Sequence, residues 1–229
     1  DAGLTVARRA PLPITTGNSY SASGALWAAR DAVLRLGLVP MPKHGEKARM
    51  KAMVVGATGA IGSVCSRLLA MVAEEVYMVS PETAKLLALK ESIRKETPGA
   101  KLFLSSRADK DIADMDMIVT ATSGAGKKIL DIMKVKPGCV ITDVARPLDL
   151  PAAEVAKRPD VLVIESGEIL LPGNVAMKNI GLPRNVAYAC LAETIVLALE
   201  GQFENFTVGR NIEWEKVREI YRLGRKHGM

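Results

Sequence analysis

Two sets of residues in this sequence have the types and spacing for chemistry. The first is a glycine trio, Gly56, Gly59 and Gly62, in "VVGATGAIG". Their GxxGxxG spacing is related to the dinucleotide-binding turn. There one glycine makes the tight turn, one lets backbone approach a pyrophosphate, and one lets a helix pack closely on a strand. A helix that starts on such a turn offers free N–H groups and a positive dipole end to phosphate. Gly56, Ala57, Thr58, Gly59, Ala60, Ile61 and Gly62 are therefore candidate nucleotide contacts, and the bland alternative is a turn that only packs. The second is a thiol, Cys190, near the beginning of "RNVAYACLAETIVLALEG". Free cysteine is among the most buried residue types, so core filler is one reading. A thiolate near a helix N-terminus is stabilised by the dipole, and Arg184 upstream adds positive charge, so a nucleophile is the other. Cys65, among Ile61, Val64 and Leu68, and Cys139, at the head of an apolar run, read as core.

The elements that would hold these residues are legible as alternating textures. Residues 1–18, with Pro11 and Pro13, read as an irregular lead-in. Ala22, Leu26, Ala29, Val33 and Leu36 recur at three and four, which predicts a helix over 19–36. After a Gly- and Pro-bearing loop, short apolar runs at 51–56, 75–80, 116–123, 138–145 and 160–166, with "AKLFLSS" between the second and third of these, predict six strands. Helical patterns separate the first of them, so the expected fold class is α/β: a doubly wound parallel (Rossmann) sheet in order 3-2-1-4-5-6, with flanking helices. Two helices, 184–201 and 213–227, close the chain. The domain expectation is a lead-in segment and helix at 1–48, a nucleotide-binding domain at 49–183 and C-terminal helices at 184–229. The lead-in helix and the helix from Arg184 should pack together as the remnant of a second lobe.

The tips of the strands refine the ligand. An enzyme using NAD tends to place an acid at the end of the second strand for the ribose 2′-hydroxyl. Here Ser80 occupies the tip with Thr83 and Lys85 beyond it, which leans towards NADP(H), while Glu82 keeps NAD open. "TATSGAG" puts Thr120, Thr122 and Ser123 at the carboxyl edge of the fourth strand, where ligands bind in such sheets, although a polar loop would read the same way.

Composition narrows the classes. With 48% hydrophobic and 24% charged residues the chain is a globular protein. No apolar run is long enough to span a membrane, and the opening residues do not read as a signal peptide, so none is expected. The cysteines have no CxxC spacing, and His44 and His227 are too distant to complete a metal site, so a reduced, cytoplasmic protein is expected. The net charge of +6 would steer an acidic partner or be merely a solvated basic surface. Dispersed basic residues and only 4% aromatics argue against nucleic acid. Assembly into a homo-oligomer is compatible with the sequence. The first residue is Asp1 rather than Met, which suggests a fragment of a longer chain.

"ITTGNSYSASGALWAA", "VVGATGAIGS", "YACLAETIVLALEG" and "NFTVGRNIEWEK" together resemble the long-chain acyl-[acyl carrier protein] reductases of cyanobacteria, across essentially the whole chain. That resemblance implies NADPH-dependent reduction of a fatty acyl thioester, on acyl carrier protein or acyl-CoA, to an aldehyde through an acyl-cysteine. It places the nucleophile on Cys190. Asn18 and Tyr188 are expected at the substrate, and Asn18 or helix N-terminal amides at 186–188 as oxyanion donors. A weaker similarity links "TGNSYSASGAL" to the shikimate dehydrogenases, whose acid is replaced here by Tyr20 and Ser21, and "ITDVARPLDL" to glutamyl-tRNA reductases. The competing functions are a dehydrogenase without covalent catalysis, which would want a Lys–Asp pair, and a module that binds NADP without catalysis.

Overall fold

The computed structural model describes residues 1, 3–124 and 127–229. The chain forms two compact units, Ala25–Glu165 and Asp1–Gly24 with Ser166–Met229. The lead-in carries a short helix, α1 (Leu4–Ala7), and then α2 (Asn18–Arg35), which begins in the split unit and continues into the other.

The continuous unit is the sheet. Its elements run β1 (Ala48–Val55), α3 (Ala60–Val72), β2 (Ala73–Val79), α4 (Thr83–Glu96), β3 (Lys101–Ser105), β4 (Met117–Thr120), β5 (Val140–Asp143), α5 (Ala152–Val155) and β6 (Leu162–Glu165). All five pairings are parallel and the order is β3-β2-β1-β4-β5-β6, the doubly wound arrangement expected. The residues explain the order. β4, "MIVT", and β5, "VITD", are buried at every position, as central strands covered on both faces must be. β3 and β6 keep exposed positions, as edges do. The core packs Met53, Ile112, Met115, Ile118, Ile132 and Ile141, each 1% exposed or less. Each such side chain contributes roughly 1.5–3 kcal/mol by leaving water.

The other unit adds β7 (Glu168–Leu170), β8 (Val186–Tyr188), α6 (Ala189–Leu199) and α7 (Trp214–Lys226). β7 and β8 are antiparallel, with Glu168 opposite Tyr188, so residues 166–183 group with the C-terminal helices. Apolar periodicity predicts one helix from residue 184; the structure starts it at Ala189. Pro183 accepts from the Val186 N–H in a turn, Asn185 takes a left-handed φ of 61°, and the next three residues pair as a strand. The amides of residues 186–188 are thus strand rather than helix N-terminal groups. Tyr20, at the start of α2, packs against Ala189, Ala192 and Val196 of α6 and Ile220 of α7. Gly224 of α7 makes room for it: a Cβ there would lie 2.1 Å from the Tyr20 hydroxyl.

Candidate functional site

The glycine turn is built as its spacing requires. Gly56 has φ +86°, and a Cβ on it would meet the Ala121 carbonyl oxygen at 2.5 Å. The N–H groups of Gly56 and Ala57 both donate to the Val79 carbonyl, at 2.9 and 3.1 Å, which pins the turn to the end of β2. A Cβ on Gly62 would lie 2.1 Å from the Gly56 oxygen, so only glycine lets α3 start this close to β1. At Gly59 the demand is milder, with the nearest atom at 3.3 Å. Gly59 caps α3 with no side-chain hydrogen bond, leaving the first-turn amides of Ala60 and Ile61 without an intrahelical acceptor. The absence of a side chain at Gly59 therefore leaves the space at the N-terminus of α3 clear.

At the tip of β2, Ser80 is buried and its hydroxyl lies 2.8 Å from that of Thr58 in the turn. Thr58 also donates to Glu82 at 2.8 Å, and Lys85 pairs with the same carboxylate. Thr83 and Lys85 are exposed on the first turn of α4. The tip thus presents both a cation and an acid reached from the turn. At the carboxyl edge of β4, the Thr122 N–H (3.1 Å) and hydroxyl donate to Asp149, and Ser123 is exposed. The Ala125–Gly126 step of the same motif lies outside the described residues. Asp143, at the end of β5, accepts from the amides of Ala145 (3.1 Å) and Leu150 (2.9 Å), and burial raises its pKa above the ordinary carboxylate value.

In the other unit, Cys190 is the second residue of α6 and is exposed, whereas Cys65 and Cys139 are buried. Burial pushes both of those thiols up to about 12. Tyr188 caps α6, two residues before the thiol. Gly17 is seated directly on Cys190: with φ +74°, its Cβ would fall 2.1 Å from Cys190 Cα and 2.3 Å from its Cβ. Asn18 follows as the first residue of α2, next in sequence to the glycine that lies against Cys190. Arg184 is not in the helix; its guanidinium donates to Asn174. Asn185 likewise serves the backbone, accepting from Val175 N–H (3.1 Å) and donating to the Gly173 carbonyl (2.8 Å).

Two curated proteins are similar to this chain in sequence. The chain is 30% identical to the aminotransferase PigE of Serratia sp. over 99% of its own length and 26% of that protein. It is 26% identical to the long-chain acyl-[acyl-carrier-protein] reductase of Synechococcus elongatus, over 93% of this chain and 60% of that one. It thus spans about a quarter of one relative and three-fifths of the other. No family model matches. Among solved structures, quinate dehydrogenase from Corynebacterium glutamicum in complex with NAD superposes with a TM-score of 0.46 at 18% identity, over 62% of this chain and 50% of that one. The sheet order itself is that of the doubly wound, Rossmann-like α/β fold.

Sequence reasoning missed Glu193. This carboxylate is fully buried, and the hydroxyls of Thr15, Ser19 (2.5 Å) and Thr207 (3.0 Å) and the Tyr20 N–H (2.9 Å) all donate to it. The available signal was a lone acid in the otherwise apolar "ACLAETIVLAL". Among the described residues no helix is long and apolar enough to cross a membrane, and no cluster of three acids, thiols or imidazoles could hold a metal.

Proposed function

We propose that this chain reduces a long-chain acyl thioester, presented on acyl carrier protein or coenzyme A, to the aldehyde with NADPH, and that Cys190 carries the acyl group. The observation that supports the reading best is the exposed Cys190 thiol in the first turn of α6, with Gly17 seated on its backbone and Asn18 next in line. The likeness to the Synechococcus reductase over 93% of the chain supports the choice of substrate class. The name of the Serratia relative belongs to a protein of which only a quarter is matched.

In this reading the Cys190 thiolate attacks the thioester carbonyl carbon, the carbon–sulfur bond to the carrier breaks, and the carrier leaves as a thiolate that takes a proton from solvent. The Asn18 side chain and the first-turn amides of Cys190 and Leu191 are the donors for the developing oxyanion, in place of the strand amides at 186–188. Tyr188, at the cap of α6 two residues before the thiol, would line the acyl approach. Gly56 to Gly62 would cradle the pyrophosphate of NADP(H), Ser80, Thr83 and Lys85 the 2′-phosphate, and Thr122 and Ser123 the nicotinamide end. Bound NADPH supplies the hydride that takes the acyl carbon to the aldehyde level. Cys190 then departs as a thiolate, ready for the next attack, and the aldehyde is released.

The test is NADPH oxidation with palmitoyl-CoA by the wild type and Cys190→Ser. A serine hydroxyl is a far weaker nucleophile than a thiolate near neutral pH, so the variant should retain NADPH affinity and lose turnover. Undiminished turnover by the serine variant would show that reduction proceeds without covalent catalysis, as in a shikimate dehydrogenase-like enzyme.

A further inference from the structure

We infer that Glu193 is a positioning residue for the Cys190 thiol: its buried carboxylate holds the Gly17–Asn18 loop against the first turn of α6. The inference rests on the reading of Cys190 as nucleophile and adds a residue to it. Glu193 stands one turn after Cys190 on the same helix and has no solvent exposure. A buried carboxylate with empty lone pairs would be strongly destabilising, so its partners define what it is for. They come from two segments distant in sequence. On Oε1 it takes the hydroxyls of Thr15 and, at 3.0 Å, Thr207. On Oε2 it takes the hydroxyl of Ser19 at 2.5 Å and the backbone N–H of Tyr20 at 2.9 Å.

Two consequences follow from that geometry. The Tyr20 N–H belongs to the first turn of α2, where no intrahelical acceptor exists, so Glu193 caps α2 from another helix and places negative charge at its positive end. Thr15 and Ser19 flank Gly17, so the carboxylate grips the loop on both sides of the residue that touches Cys190. The Thr207 segment closes the same knot: the Thr16 N–H donates to the Thr207 carbonyl at 2.9 Å, and the Thr207 N–H to the Thr15 hydroxyl at 3.2 Å. A carboxylate only accepts, and it meets four donors. Glutamine keeps the shape but turns an NH₂ towards one pair of them, which loosens the loop without emptying the core. The distance between thiol and loop is thus set by a group that never meets substrate.

The experiment uses the full chain with Glu193→Gln and the milder Thr15→Val, which removes one donor. Three quantities are compared with wild type: single-turnover acylation by palmitoyl-CoA, alkylation of Cys190 by iodoacetamide, and NADPH affinity. Alkylation needs only an exposed thiol, whereas acylation also needs the loop in register. Glu193→Gln should slow acylation at least about tenfold, with alkylation within about twofold of wild type and NADPH affinity unchanged. Thr15→Val should fall between the two. If acylation by Glu193→Gln equals wild type, or if alkylation falls in step with acylation, Glu193 is only a core contact and the inference is overturned. If wild type itself forms no acyl-enzyme, the reading of Cys190 fails, and the inference with it. Wild-type acylation with an unaffected variant would overturn the inference alone.

Discussion

Gly17→Ala is the sharpest perturbation of the thiol's surroundings, because two separable effects meet there. The backbone has φ +74°, and an L side chain in that region costs about 1–2 kcal/mol. The added Cβ would also lie 2.1 Å from Cys190 Cα and 2.3 Å from Cys190 Cβ, atoms that cannot swing aside as a flexible side-chain end would. Overpacking of this kind costs about 1–3 kcal/mol, for a total of about 2–5 kcal/mol. Gly201→Ala is the control: it has φ +69° in the same unit and nothing within 4 Å of the new Cβ, so it carries the strain without the collision. The difference between the two, about 1–3 kcal/mol, isolates the contact with Cys190. For a chain of this size that separates the melting temperatures by about 2–12 °C. Thermal melts of both variants decide it. Equal melting temperatures for the two would refute the close seating of Gly17 on the thiol.

Other expectations are more direct. Iodoacetamide at pH 8 should modify one thiol per folded chain, Cys190, because Cys65 and Cys139 are buried and held up to about 12 by that burial; labelling of Cys65 before unfolding would contradict the packing of α3. Gly59→Val should abolish NADPH binding with little change in melting temperature, read by fluorescence titration, since its side chain enters the phosphate space more than the protein's own packing. Lys85→Ala should weaken NADPH at least about tenfold while sparing NADH, and equal losses for both coenzymes would move the 2′-phosphate elsewhere. Glu200 is held below its ordinary 4.5 by Lys226 first and then His227, so its contribution to stability is present above pH 4.5 and fades as pH falls through the lower native value. The melting-temperature advantage of wild type over Glu200→Gln should therefore shrink between pH 6 and pH 3.

The sheet was legible because its signals are local and repeated. Short, mostly apolar runs, the glycine turn after the first of them and helical spacing between them leave few alternatives to a doubly wound order. The thiol's surroundings were less so. Apolar periodicity runs through residues 184–201 without a break, and nothing in it marks Asn185 as left-handed or residues 186–188 as a strand, because the partner strand at 168–170 is three residues long. Glu193 was harder still. Its donors, Thr15, Ser19 and Thr207, lie more than 170 residues away on one side and 14 on the other, and only the fold brings them to one carboxylate.

The central claim is that Cys190 takes the acyl group, and one measurement addresses it without any other step. The wild-type chain is incubated with palmitoyl-CoA in the absence of NADPH, quenched in acid and digested, and the peptides are weighed. The account predicts a palmitoyl adduct on the peptide containing Cys190, labile to hydroxylamine as a thioester and cleared when NADPH is added before the quench. No adduct under conditions where NADPH is oxidised, or an adduct on the peptide of Cys65 or Cys139, would contradict it.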